Sequence, residues 1–141
     1  MGAMIALVLG ITFGLLSLLH FAWALGIKWG FDASLPTTEE GKSVIDPKPR
    51  ESLIVAIGLA FFSVFYCSKY FMVPLTPNET IETIISWVMP CIFILRSIGD
   101  FKYFGFFKKV KSTSFADLDT KLIIPLCLLL AFLGFLLELN G

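Results

Sequence analysis

The chain alternates between long apolar stretches and shorter polar links. Four stretches carry almost no charge, and they predict helices at about residues 3–27, 52–73, 81–101 and 122–139. An α-helix rises about 1.5 Å per residue, so about 20 apolar residues cross the roughly 30 Å hydrocarbon core of a bilayer. The pattern therefore predicts a single domain over residues 1–141, an all-α integral membrane protein built as a four-transmembrane-helix bundle.

The third apolar stretch is the shortest of the four. Its uncharged core runs only from Thr83 to Leu95, which is too short to span unless the helix continues through Arg96 to about Phe101. Asp100 follows Arg96 by one helical turn, the spacing of an ion pair along a helix. We therefore expect Arg96 and Asp100 to pair and to place the third helix at the membrane boundary.

Composition and the distribution of charge add an orientation. The chain is 57% hydrophobic and 16% charged, whereas soluble domains are about 25% charged. Ten of the eleven Lys and Arg residues lie in or beside two links, at residues 28–51 and 102–121, and Lys69 is the exception. Because positive charge accumulates on the cytoplasmic side, both links are predicted to lie in the cytoplasm and both termini outside.

Four residues form a candidate ligand site, because ionisable side chains at membrane depth are costly and usually have a partner or a function. His20 and Trp23 lie one turn apart on the first helix, and Arg96 and Asp100 lie on the third. His20 and Arg96 are predicted at similar depths, roughly 10 Å and 7 Å from the inner helix ends. One interpretation is structural, with Arg96 paired to Asp100 and His20 bonded to a neighbouring helix; the other is a cavity open to the cytoplasm.

The second link combines rings with positive charge. Basic patches with aromatic residues also occur in nucleic-acid binding, where rings stack on bases. Beside a membrane helix, an interfacial segment that contacts lipids is the better account, and we expect no nucleic-acid partner. The residues predicted at the membrane surface are Lys102, Phe104, Phe107, Lys108, Lys109 and Lys111.

Small residues complete the candidate features. Gly10 and Gly14 form a GxxxG pattern on the first helix, which favours close packing within the bundle over a homo-oligomer seam. The three cysteines, Cys67, Cys91 and Cys127, fall in apolar stretches without metal-ligand spacing, so they are interpreted as packing residues. We expect no metal and no cofactor. Asp119 or Thr120 can cap the fourth helix.

Several stretches together resemble the bacterial domain-of-unknown-function family numbered 3995. The most specific are an Arg-x-x-Gly-Asp-Phe pattern and a Gly-Phe-Phe-Lys pattern in the second half of the chain. The resemblance covers nearly the whole chain and implies a small four-helix protein of the bacterial cell membrane, and it implies no activity, substrate or cofactor. The stretches that carry it are His20–Gly26, Trp29–Ala33, Leu35–Pro36, Leu95–Tyr103, Gly105–Lys108, Phe115–Ala116, Leu118–Thr120 and Pro125–Cys127.

Two classes of function stay open, with a third beside them. The first is a membrane protein that binds or moves a small amphipathic or anionic ligand in a cytoplasm-facing cavity, and the residues favour it. The second is a membrane-embedded enzyme on a lipid-like substrate, with His20 as acid or base and Arg96 or Asp100 for charge; a pocket lined by both His20 and Asp100 would favour it. The third is an accessory subunit of a membrane complex. No recognisable catalytic constellation is present, so we lean against an enzyme.

Overall fold

The computed structural model describes residues 1–45 and 48–140, so positions 46–47 of the predicted first link lie outside the described residues. The described part is all-helical apart from its links. Its four long helices are α1 (Gly2–Ala24), α2 (Pro49–Tyr70), α3 (Glu79–Ile98) and α4 (Ser114–Leu139). Each is long and apolar enough to cross a membrane, which is the architecture of a multi-pass membrane protein.

Local sequence signals define the helix ends. Pro49 occupies the first turn of α2, and the Glu51 carboxylate accepts a hydrogen bond from the Lys48 amide at 3.1 Å. The Asn78 side chain caps α3 by accepting from the amides of Thr80 and Ile81. These signals start α2 and α3 within a few residues of the predicted positions.

The start of α4 differs most from the prediction. The helix begins at Ser114, well before position 122, because the Thr113 side chain accepts a hydrogen bond from the Ala116 amide and Phe115 is buried. A π-helical section, Asp119–Ile123, then precedes the regular α-helix. Asp119 therefore lies inside the helical segment, and the prediction that it or Thr120 caps this helix is wrong.

The helices form two antiparallel pairs. Along α1 and α2, the Ser63 hydroxyl donates to the Gly10 carbonyl and the Ser17 hydroxyl to the Ala56 carbonyl, both at 2.7 Å. A Cβ added at Gly10 would lie 2.7 Å from the Cys67 sulfur. The GxxxG face is thus occupied by α2 of the same chain, and a homo-oligomer seam through Gly10 and Gly14 would have to displace this contact.

The second pair is α3 with α4. A Cβ at Gly134 of α4 would meet the Met89 side chain at 2.7 Å and Pro90 at 3.2 Å, so the missing side chain allows close approach of the two helices. The pairs join at the buried ring of Phe13, which lies 5.8 Å from Phe62 and 5.4 Å from Phe93. α1 also packs on α4, whereas α2 makes few contacts with α3 or α4.

The two ends of the bundle differ in polarity. We call the end with the links 25–48 and 99–113 the loop end, and the other the termini end. At the termini end, Lys69 of α2 pairs with Glu138 of α4 at 2.5 Å. At the loop end α2 stays apart from α3 and α4, and a cavity opens there.

Candidate functional site

Asp119 is the centre of the loop end. Its side chain is fully buried, and its two oxygens accept hydrogen bonds from three groups. Arg96 Nη2 lies 2.9 Å from Oδ1, while Lys108 Nζ at 3.1 Å and the Gly105 amide at 2.8 Å reach Oδ2. We call Arg96, Gly105, Lys108 and Asp119 the Asp119 cluster. It connects α3, the second link and α4 through one carboxylate.

Lys108 is buried, with 4% of its surface exposed. Besides Asp119, its ammonium donates to the Gly105 carbonyl at 3.2 Å and to the Thr120 hydroxyl at 2.7 Å. All three N–H groups thus have partners, as a buried ammonium requires. The prediction that Lys108 lies at the membrane surface is wrong, because this carboxylate draws it into the protein.

The other predicted surface residues divide into two groups. Lys102, Lys109 and Lys111 are exposed, and so is Phe107. Phe104 is half-buried instead, with the Arg96 guanidinium 4.7 Å from its ring centroid. The ring therefore forms a cation–π contact with the guanidinium.

Two glycines shape the loop that carries these donors. Gly99 ends α3 with φ 84° and Gly105 has φ 89°, a backbone region that side chains disfavour. A Cβ at Gly99 would lie 2.6 Å from Gly105 Cα, and the Phe106 amide donates to the Ser97 carbonyl at 2.6 Å. This close approach aims the Gly105 amide at Asp119.

Asp100 holds the turn between these glycines. Its carboxylate accepts the backbone amides of Lys102, Tyr103 and Phe104 at 2.9, 2.7 and 3.0 Å. Burial alone would raise the pKa of this carboxyl, but the hydrogen bonds from these amides outweigh it and lower the pKa below its ordinary value. The predicted ion pair with Arg96 is wrong, since α3 stops at Gly99 and Arg96 pairs with Asp119.

A cavity of about 540 Å³ lies between the helices at the loop end. His20, Trp23 and Arg96 line it, so the structure brings three of the four candidate residues together. Asp100 is not among the lining residues, because it turns toward its own loop amides. Most of the remaining lining is apolar and comes from all four helices.

The polar side chains of the cavity are oriented by local contacts. His20 Nδ1 lies 2.8 Å from the Leu16 carbonyl and therefore donates to it, which leaves Nε2 as an acceptor. Trp23 Nε1 donates to the Trp29 carbonyl at 2.8 Å, and its ring lies 4.7 Å from that of His20. Arg96 uses Nη2 for Asp119, while its buried Nη1 has no hydrogen-bond partner among residues 1–45 and 48–140.

The sequence prediction missed Asp119 and the inward direction of Lys108. The charge pattern of the link 102–121 could have indicated Asp119. The link has only two acidic residues, of which Asp119 is one, and four lysines precede it at positions 102–111. Asp119 also lies three residues before the apolar stretch that begins at Leu122. What the sequence did not show is the π-helical section that carries this carboxylate into the bundle.

The fold and the Asp119 cluster define a small four-helix membrane protein whose loop end carries a buried ionic centre. The chain belongs to the family described as "Protein of unknown function (DUF3995)", whose profile matches residues 13–134. The family resemblance of the sequence motifs is thereby confirmed. No curated protein and no solved structure matches the chain.

Replacing Asp119 tests the cluster. Asp119→Asn leaves Lys108 buried without a counter-charge, so we expect a loss of about 3–5 kcal/mol in the free energy of unfolding. Asp117→Asn is the matched control, because Asp117 pairs with Lys121 at the exposed surface and should change stability by less than about 0.5 kcal/mol. Unfolding of the purified protein in detergent measures both.

A second change separates charge from packing at this centre. Lys108→Met in the Asp119→Asn background removes the uncompensated ammonium, so it should restore part of the lost stability. Equal effects of Asp119→Asn and Asp117→Asn would show that the cluster does not stabilise the fold.

The ionisation of Asp100 should make the stability of the turn after α3 depend on pH. Its folded-state pKa is lowered, so its stabilising contribution is present above the unfolded pKa and is lost as the pH falls through the folded value, below about pH 4. Hydrogen exchange at the amides of Lys102–Phe104 should show protection that Asp100→Ala abolishes. Asp100→Asn keeps an acceptor oxygen and should retain protection without the pH dependence; equal exchange in all three proteins would contradict this role.

Proposed function

We propose that the protein binds a small amphipathic anion in the cavity at the loop end. The observation that carries the proposal is Arg96 Nη1, a buried donor that has no partner in the described chain and belongs to a residue lining the cavity. An unpaired buried donor costs about 1–3 kcal/mol. An anionic group of a ligand would satisfy it, and guanidinium groups suit carboxylates and phosphates.

The charge balance favours the same ligand sign. Arg96 and Lys108 carry two positive charges and Asp119 one negative charge, so these three ion-paired side chains have a formal excess of one positive charge. Asp119 accepts from both cations and from the Gly105 amide, so its oxygens are already engaged. A bound anion would neutralise the excess at the polar end of the cavity.

The remaining cavity surface favours an amphipathic ligand over a simple ion. Its volume falls in the range of about 300–1,000 Å³ typical of sites for small organic ligands, and its lining is largely apolar. His20 Nε2 is available to accept a hydrogen bond from a ligand hydroxyl. The Trp23 indole donates to the Trp29 carbonyl, and its ring lies beside His20 as an apolar surface for the ligand.

Catalysis receives less support from this geometry. Convergence of His20 and Asp100 on one point would favour the enzyme hypothesis, but of the two candidates for charge only Arg96 lines the cavity and Asp100 does not. His20 has Trp23 beside it and the Leu16 carbonyl at Nδ1, and no carboxylate among residues 1–45 and 48–140 forms a hydrogen bond to its ring. Acid–base catalysis needs a convergent pair of proton-transfer groups, whereas ligand binding needs only a donor for the anion and an apolar surface. The cavity has an arginine and an apolar lining, so binding is the better supported of the two functions.

Ligand-dependent stability tests the proposal. A ligand that binds only the folded state at 100 times its Kd stabilises by about 2.7 kcal/mol. In a neutral detergent, dodecyl phosphate should raise the Tm of the full-length protein, whereas dodecyltrimethylammonium, with the same tail, should not. Arg96→Lys keeps a positive charge for Asp119 but removes Nη1, so it should lose most of the shift.

Lys121→Gln is the control for this experiment, because it also removes a cation from the loop end but lies at the surface. It should keep the full shift. Equal stabilisation by the two surfactants, or a full shift in Arg96→Lys, would contradict anion binding at Arg96.

For orientation, we propose that the loop end faces the cytoplasm and that both termini lie outside, on the basis of the Lys and Arg distribution. Cysteines introduced at the exposed positions Glu40 and Ser112, in a variant without the three native cysteines, should resist an impermeant thiol reagent in intact cells. They should react after permeabilisation. A cysteine near the N-terminus, at Ala3, is the control that should react in intact cells, and the reverse pattern would invert the topology.

A further inference from the structure

We infer that the ligand is a lipid with one acyl chain and an anionic headgroup, and that it enters the cavity sideways from the bilayer, between α2 and the α3–α4 pair. This inference rests on the proposed function, since it assumes that the cavity binds an amphipathic anion. It adds the class of ligand and the route of entry.

The cavity has a lateral opening because α2 packs on α1 and makes few contacts with α3 or α4. Val55 of α2, Ile92 of α3 and Leu122 of α4 all line the cavity and are all exposed. Gly58 lies on the same face of α2 as Val55, and a Cβ added there would meet no atom within 4 Å. These apolar residues form the rim of an opening. In a membrane this rim would face the hydrocarbon core and contact lipid tails.

The volume fits one chain. About 540 Å³ corresponds to roughly 18 groups of the size of a water molecule, at about 30 Å³ each. One acyl chain by itself has about this many heavy atoms and the two chains of a phospholipid have about twice as many, so the cavity holds one chain with the headgroup at its polar rim. The lining fits a hydrocarbon chain as well, because its residues other than His20, Trp23, Ser34 and Arg96 are Leu, Ile, Val, Phe, Cys and Gly.

The polarity of the cavity matches that of a lipid in the adjacent leaflet. Arg96 lies in the last turn of α3 at the loop end, where headgroups lie. Phe62 and Phe93 line the cavity further toward the middle of the bundle and contact the buried ring of Phe13. A lipid of that leaflet would therefore enter with its head toward Arg96 and its tail toward Phe13, without turning over.

The loop end of the bundle also carries exposed positive charge. Lys102, Lys109 and Lys111 are exposed on the loop, and Phe106 and Phe107 are exposed beside them. Lysines beside exposed rings suit the headgroup layer of an anionic leaflet. This surface would raise the local concentration of anionic lipids next to the cavity.

Tryptophan quenching can detect entry, since Trp23 lines the cavity. The full-length protein with Trp29→Phe and Trp87→Phe retains Trp23 alone and is reconstituted in nanodiscs of phosphatidylcholine. The probe is lysophosphatidic acid with a dibrominated stearoyl chain, because bromine quenches only nearby indoles. We expect half-quenching at roughly tenfold lower mole fraction than with two-chain dibrominated phosphatidic acid or with the zwitterionic lysophosphatidylcholine.

Two controls isolate the cavity. A variant that retains Trp87 alone reports quenching from the bulk bilayer, since Trp87 is exposed and does not line the cavity, and it should not distinguish the three probes. Gly58→Leu fills the opening and should require roughly tenfold more probe. Gly58→Ala removes the glycine without filling the opening and should behave like the parent.

The outcomes separate this inference from the proposed function. Equal quenching by one-chain and two-chain anions, or no difference between Gly58→Leu and Gly58→Ala, overturns the lipid class or the lateral route while stabilisation by dodecyl phosphate can still stand. Inorganic phosphate that competes as well as unlabelled lysophosphatidic acid would mean that the site binds a soluble anion, which also overturns it. Loss of both the selective quenching and the Arg96-dependent stabilisation overturns both proposals.

Discussion

One buried carboxylate organises the loop end of this protein. Asp119 carries a full negative charge into a site with no exposure, and such a charge is stable only with charged and hydrogen-bonding partners. Arg96 of α3, Lys108 of the second link and the Gly105 amide supply them. Since the partners come from separate parts of the chain, satisfying Asp119 requires α3, the link and α4 to meet in one arrangement.

The loop geometry follows from that requirement. Gly99 and Gly105 approach each other too closely for any side chain, and Asp100 gathers three backbone amides to make the turn. The segment from Arg96 to Lys108 thus has a structural explanation. Arg96, Lys108 and the Gly105 amide bind Asp119, while Gly99 and Asp100 shape the turn that positions them. A direct ion pair between Arg96 and Asp100 would have left Asp119 without its arginine.

The same constraint shapes the cavity. Asp119 accepts from only one of the Arg96 terminal nitrogens; the other is buried without a hydrogen-bond partner in the described part of the chain, and the Arg96 side chain lines the cavity. α1 packs closely on α2 at Gly10 and Gly14, and α3 packs closely on α4 at Gly134. With each helix committed to its own partner, α2 leaves an apolar opening at the loop end, and its polar end is set by Arg96, His20 and Trp23.

The sequence by itself determined the four spans and the family, because twenty-residue apolar stretches and contiguous motifs are local properties that need no knowledge of packing. It also predicted His20 and Arg96 at similar depths, since that prediction needs only the helical rise. Only the tertiary structure decided which charges meet. Spacing of one turn predicted Arg96 with Asp100, but the helix ended at Gly99 and a distant carboxylate, carried inward by the π-helical section Asp119–Ile123, became the partner. Ion pairing depends on distances across the fold, and helical spacing describes only distances along one helix.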